Sequence, residues 1–191
     1  MTSADRILLL QKNDQTARKQ LFDEYYGRLA AIANRYCKNP QQAEEVLTIG
    51  LNNCFHKLET ATDPQNIDLD SFLEKAFIIE CISFIRNIRS EYFVSSTVYA
   101  TDKVAQNYDL FENNNDAIDF NGLDNDILLK ALQQLVPAQR LIFNLHVIDG
   151  YSLEESAALL EASAPTVKSN LEKARFNMQK NIEKSLKNAK S

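Results

Sequence analysis

Ser152-Leu153-Glu154-Glu155-Ser156-Ala157-Ala158-Leu159-Leu160, Glu161-Ala162-Ser163-Ala164 and Pro165-Thr166-Val167-Lys168-Ser169-Asn170-Leu171-Glu172-Lys173-Ala174-Arg175 run consecutively. A serine followed by two acids in the next turn is a helix start: its hydroxyl accepts a free backbone N–H, and the acids favour the positive end of the helix dipole. Asp149-Gly150 just before it is a left-handed stop for the preceding helix. Pro165 opens the second helix at its first turn, where its missing N–H costs nothing. Val167, Leu171, Ala174 and Met178 then recur at helical spacing as one inward face. A short helix, a turn of about four residues and a longer basic helix make a helix-turn-helix.

In such a unit the first turns of the second helix enter the DNA major groove. With the apolar ladder inward, Thr166, Lys168, Ser169, Asn170, Lys173 and Arg175 face outward. Cations pair with phosphates, and small hydroxyl and amide side chains read base edges. Glu172 is unfavourable on a phosphate surface, though a cytosine amine is a partner for it. The net charge of −5 looks wrong for a DNA binder until it is divided along the chain. Residues 165–191 carry +5, whereas 94–126 carry −6. The plain alternative for the basic helix is a solvated surface. Charge alone does not decide between the two; charge joined to the helix-turn-helix spacing favours DNA.

Working outward, the sequence predicts an all-α chain. It has two small helical domains, 1–93 and 123–191, joined by an acidic polar linker over 94–122. In the second domain Ile127, Leu128, Ala131, Leu132 and Leu135 form one helix up to Pro137. Leu141, Ile142, Leu145 and Ile148 form the next. The linker loses helical period and includes Asn113-Asn114-Asn115-Asp116. In the first domain Leu21, Phe22, Tyr25, Tyr26, Leu29, Ile32, Ala33 and Tyr36 mark one amphipathic helix. Ala43, Val46, Leu47, Leu51, Cys54, Phe55 and Leu58 mark a second, opened by Pro40. A third, from about Leu69 to Arg89, turns Phe72, Leu73, Ala76, Phe77, Ile79, Ile82 and Ile85 inward.

No apolar run reaches the roughly 18 residues that span a bilayer, and the N-terminus lacks a signal-peptide pattern. A cytoplasmic protein is expected. Cys37, Cys54 and Cys81 are widely spaced, with no C-x-x-C pair, and sit in apolar helical stretches, so they read as reduced packing residues. His56 and His146 are isolated. No Gly-rich phosphate loop, metal-spaced cluster or nucleophile–base set occurs, so neither an enzyme nor a cofactor is expected.

Phe143-Asn144-Leu145-His146-Val147-Ile148-Asp149-Gly150-Tyr151-Ser152, with Glu155 and Ala157-Ala158-Leu159-Leu160, resembles the opening of the C-terminal domain of bacterial sigma factors. Pro165 to Leu171 and Lys173-Ala174-Arg175 resemble that family's recognition helix, and Leu135-Val136-Pro137 with Arg140 its Leu-Pro-x-x-x-Arg. Leu21-Phe22-Asp23-Glu24-Tyr25-Tyr26, Ala43-Glu44-Glu45-Val46-Leu47, and Phe72-Leu73 with Phe84-Ile85-Arg86 resemble the N-terminal domain of the extracytoplasmic-function (ECF) group. The likeness spans nearly the whole chain apart from the linker.

The resemblance implies a transcription initiation factor with core RNA polymerase and promoter DNA as partners, and an anti-sigma factor as a further partner class. It implies a monomer when free. It also implies contact with the upstream promoter element through Thr166, Lys168, Ser169, Asn170, Lys173 and Arg175. A melted strand would lie against Lys75, Phe77, Phe84, Arg86, Asn87 and Arg89. Polymerase would meet Glu44, Glu45, Thr48, Ile49 and Leu51. The ordinary alternative for Phe77 and Phe84 is core packing.

The departures lie in the first domain. Thr48-Ile49-Gly50-Leu51 stands where the family usually has Gln-Glu and then an aromatic, and tryptophan is absent from the chain. Glu74-Lys75 replaces a basic pair, while Glu80 and Ser83 replace common Asn and Asp positions. Two other readings therefore stay open: a sigma-like interaction protein that binds a regulator without programming the polymerase, and a polymerase-independent, dimeric DNA-binding regulator.

Overall fold

The computed structural model describes residues 1–88 and 123–189, with side chains to Lys187. The acidic stretch 94–122 and Arg89 lie outside the described residues. The chain is all-α and divides into two compact units, Met1–Ile88 and Arg89–Ser191.

The first unit packs four helices: α1 (Ser3–Gln11), α2 (Gln15–Tyr36), α3 (Pro40–Glu59) and α4 (Leu69–Ile88). Their starts are written in short polar side chains. Thr2 and Asp5 form a reciprocal capping box on α1, Asp14 accepts from Thr16 N and Ala17 N, and Asn39 accepts from Gln42 N just ahead of Pro40. Asn13 takes the left-handed conformation between α1 and α2, one that Asn tolerates better than most residues. Burial follows a narrow ladder on α2: Ala17, Leu21, Tyr25, Leu29, Ile32, Ala33 and Tyr36.

Three residues expected on buried faces lie outside them. Phe22 and Tyr26 are 41% and 44% exposed, one position past the ladder, and their rings meet at 5.1 Å. On α4 the fully apolar pair Ile78-Ile79 splits: Ile78 is buried and Ile79 exposed, because only one of two adjacent positions can face the core. Gly50 explains itself here. A Cβ at this position would meet Phe77 Cε2 at 2.9 Å and Glu80 Cβ at 3.2 Å, so glycine lets α3 and α4 approach closely.

The second unit contains α5 (Asn125–Gln133), α6 (Pro137–Ile142), a wider π-type continuation (Phe143–Ile148), α7 (Leu153–Leu160) and α8 (Ala164–Ala189). Asp149 N donates to Asn144 O at 2.8 Å, five residues back. This extra residue per turn shifts the phase of the helix. Asn144 and Leu145 turn inward while Val147 and Ile148 turn out, so Ile148, expected inside, is exposed. Gly150 then takes its left-handed stop (φ 75°), and Ser152 with Glu155 closes a capping box on α7.

Ala131, Leu132, Leu135, Ala174, Met178 and Ile182 form one cluster between α5 and α8. Inside α7, Ser156 is fully buried and its hydroxyl has no hydrogen-bond partner. Such an orphan group destabilises by about 1–3 kcal/mol, so Ser156→Ala should stabilise the unit by roughly 1 kcal/mol in urea unfolding. A loss of stability instead would mean that the hydroxyl has a role in the fold.

Candidate nucleic-acid interface

The turn between α7 and α8 aims the second helix. Glu161 closes α7 in the left-handed conformation (φ 50°), a position where glycine is usual. Ser163 Oγ accepts from Thr166 N at 3.3 Å and lies 2.8 Å from Thr166 Oγ1, which pins the first turn of α8. Val167, Leu171, Ala174 and Met178 are all buried, as their spacing requires. The outward face follows: Lys168, Ser169 and Arg175 are exposed, while Thr166, Asn170 and Lys173 are half-buried. Asn170 Nδ2 donates to Thr166 O at 3.0 Å, so its amide starts engaged with its own helix.

Behind this face, a set of polar residues holds α8 and α5 in place. Arg140 is buried and donates from Nη1 to Gln133 O (3.1 Å) and Leu135 O (2.8 Å), the carbonyls freed at the end of α5. Asn144 Nδ2 donates to Arg140 O at 2.8 Å. Asn177 Nδ2 donates to Gln139 Oε1 (2.9 Å) and Asn181 Nδ2 to Ala131 O (3.0 Å). The sequence offered no signal for these two asparagines, because amides on a helix back read as surface.

Residues 125–176 match the family described as Sigma-70, region 4. Over these residues, about a quarter of the chain, the C-terminal unit is similar to sigma-70 region 4. The buried Arg140, which donates to the carbonyls at the end of α5, lies within the matched residues. No curated protein matches the chain by sequence. Among solved structures, the sigma factor RpoE in complex with the anti-sigma factor NepR from Bartonella quintana is 23% identical. That match covers 86% of this chain and 96% of that one, at a TM-score of 0.52. CnrH in complex with the cytosolic domain of CnrY is 18% identical over 99% of both chains, at a TM-score of 0.47. The RpoE match, at this identity, is a likeness of fold.

The first unit distributes its expected site residues unevenly. Glu44, Glu45, Thr48 and Ile49 are exposed along α3, and Thr48 Oγ1 donates back to Glu44 O at 3.0 Å. Leu51, expected to meet polymerase, is buried. A groove of about 440 Å³ between α2 and α3 gathers Phe22, Tyr26, Leu47, Thr48, Leu51 and Phe55. Arg18 closes one side, over the Phe55 ring at 5.2 Å and paired with Glu59.

On α4, Lys75 and Asn87 are exposed and Phe84 and Arg86 half-buried, whereas Phe77 is wholly inside the core. Phe77 packs against the face of α3 that Gly50 leaves open and presents no ring to solvent. The acids Glu74 and Glu80 on α4 are engaged. Glu80 accepts from Asn53 Nδ2 and Lys57 Nζ, both at 2.7 Å, and Glu74 pairs with Arg28, which also reaches Asp70 at 2.7 Å. The same Asp70 accepts from the Tyr25 hydroxyl at 2.9 Å. Burial and this bond push the Tyr25 phenol up to about 12. Tyr25 and then Arg28 hold the Asp70 carboxyl below the usual range. Charges that the sequence sets against a nucleic-acid strand therefore serve to tie α4 to α2 and α3.

Among the described residues, no group of three or more His, Cys, Asp or Glu side chains is placed to hold a metal ion. No helix among them is long and apolar enough to cross a membrane. Cys37, Cys54 and Cys81 are buried and form no disulfide, and burial raises the Cys54 thiol to about 12.

Proposed function

We propose that the chain is a sigma-type factor that reads upstream promoter DNA through α8 and docks on protein partners through α2 and α3. The observation that carries this reading is the C-terminal unit, similar to region 4, with its outward face open. Thr166, Lys168, Ser169, Asn170, Lys173 and Arg175 border solvent beside a fully packed apolar ladder. Lysine and arginine supply sequence-independent phosphate affinity, and Ser169, Thr166 and Asn170 supply base contacts. The polymerase does the chemistry. Glu44, Glu45, Thr48 and Ile49 form the exposed edge offered to core RNA polymerase, and Lys75, Phe84, Arg86 and Asn87, followed by Arg89, remain the candidates for holding a melted strand. Phe77 does not join that set.

Two observations favour a second reading. The RpoE structure of similar fold is a complex with an anti-sigma factor, and the Thr48-Ile49 edge lacks the polar pair usual for polymerase binding. In that reading the exposed Phe22, Tyr26 and Ile49 serve a protein regulator, and polymerase is not programmed. Capture of a regulator and use by polymerase are compatible in one factor, so the two readings differ only in whether the second occurs.

Lys173→Glu tests the α8 assignment. It should weaken duplex binding across sequences and reduce the salt dependence, by about one unit of slope for each lost phosphate contact. Unchanged affinity and unchanged salt slope would remove α8 from the DNA interface.

A further inference from the structure

The family match ends at residue 176, but α8 continues to Ala189. The continuation packs as firmly as the matched part: Met178 and Ile182 are buried against α5, and Asn177 and Asn181 bond to α6 and α5. Its orientation is thus fixed by the same core that fixes the recognition turns. On its outer side the basic residues keep step with the recognition face. Thr166, Lys173, Lys180 and Lys187 recur at every seventh position, a spacing that drifts by only about 20° per repeat on a straight helix. Lys184 lies beside them, and Lys180, Lys184 and Lys187 are all exposed.

Lys180 is also aimed. Its Nζ lies 4.3 Å from the centroid of the Phe176 ring, so the ammonium is carried one turn back toward the recognition end. Of the acids along this half, Glu172 and Glu183 lie on the flank, and Glu183 accepts from Gln179 Nε2 at 3.2 Å.

We infer that the outer half of α8 is a second phosphate-binding stripe, in which Lys180 and Lys184 grip the duplex backbone beside the bases read by the first turns. The inference rests on the reading of α8 as the DNA-binding helix. Lys180 stands about 10 Å beyond Lys173 and Lys184 about 6 Å beyond that, within the span of a few phosphates along a strand. The stripe adds affinity without sequence preference, because its contacts are charge alone.

The test uses the full-length chain and fluorescent duplexes: one of mixed sequence, and one enriched from a random pool by the wild-type chain. Binding is followed by anisotropy over a range of salt. Lys180→Gln/Lys184→Gln keeps good helix formers and leaves the core untouched. It should lower affinity by roughly tenfold on both duplexes and reduce the salt slope by about 2, at roughly 0.9 for each phosphate released. Ser169→Ala should instead lower the preference for the enriched sequence and leave the slope in place. An unchanged slope in the double variant, with wild-type enrichment intact, overturns the stripe alone. If that variant instead loses a protein partner, the lysines serve protein and the DNA assignment fails. A wild-type chain that binds no duplex at low salt overturns the stripe together with the reading beneath it.

Discussion

Arg140→Met should destabilise the C-terminal unit by about 2–4 kcal/mol, because a buried carbonyl and a part-buried one each lose a donor at once. Gln133 O and Leu135 O close α5 next to Pro137, and the guanidinium reaches both. Proline has no N–H to offer them. Methionine fills much of the same space but donates nothing, so the loss reports hydrogen bonding more than volume. The folded state of a small unit lies only about 5–15 kcal/mol below its unfolded state, and such a loss should be visible as an early urea transition. DNA affinity measured well below that transition should fall little, since Arg140 faces away from solvent. A variant that unfolds like wild type but has lost duplex binding would reverse this assignment and place Arg140 in the interface.

The second large effect concerns Phe77. Phe77→Ala should destabilise the N-terminal unit by about 3–5 kcal/mol, the range for emptying an aromatic site in a core. Phe84→Ala, at a half-buried position, should cost distinctly less in the same unfolding experiment. The pair separates the two roles that the sequence leaves joined. If Phe77→Ala folds with wild-type stability yet fails to hold single-stranded DNA, the ring belongs to the nucleic-acid site after all.

The difference between Phe77 and Phe84 also marks where the sequence stops being legible. Both are aromatic residues on one amphipathic helix, and spacing assigns each only to a broad apolar face. Their separation depends on α3, where Gly50 opens room for one ring and not the other. The helix-turn-helix was readable because its signals are local: a serine cap, a glycine stop, a proline start and an apolar ladder within one short stretch. Phe22, Tyr26 and Ile79 show the opposite case, since hydrophobic character does not say whether a face meets a neighbour within the unit. Ile148 was misplaced for a different reason. The π-type turn inserts one residue of phase, and no residue type in Phe143–Ile148 announces it. The ion pairs of Glu74 and Glu80 were equally hidden, because their partners Arg28 and Lys57 come from other helices.

Those pairs change the meaning of the departures in the first unit. Read as loose charges, Glu74 and Glu80 argue against a bound strand. Paired with Arg28, which Asp70 shares, and with Lys57, they oppose a strand beside the exposed Lys75 less than loose acids would. The Thr48-Ile49 edge has no such compensation, and it is there that the polymerase reading stands or falls.

Reconstitution of the full chain with bacterial core RNA polymerase tests that reading most directly, with co-purification followed by mapping of transcript starts on genomic DNA. The expected result is a stable complex that initiates at discrete sites sharing an upstream element, with starts lost in the Lys173→Glu variant. A folded chain that neither joins the polymerase nor changes where it starts would contradict it and leave a sigma-like interaction protein in its place.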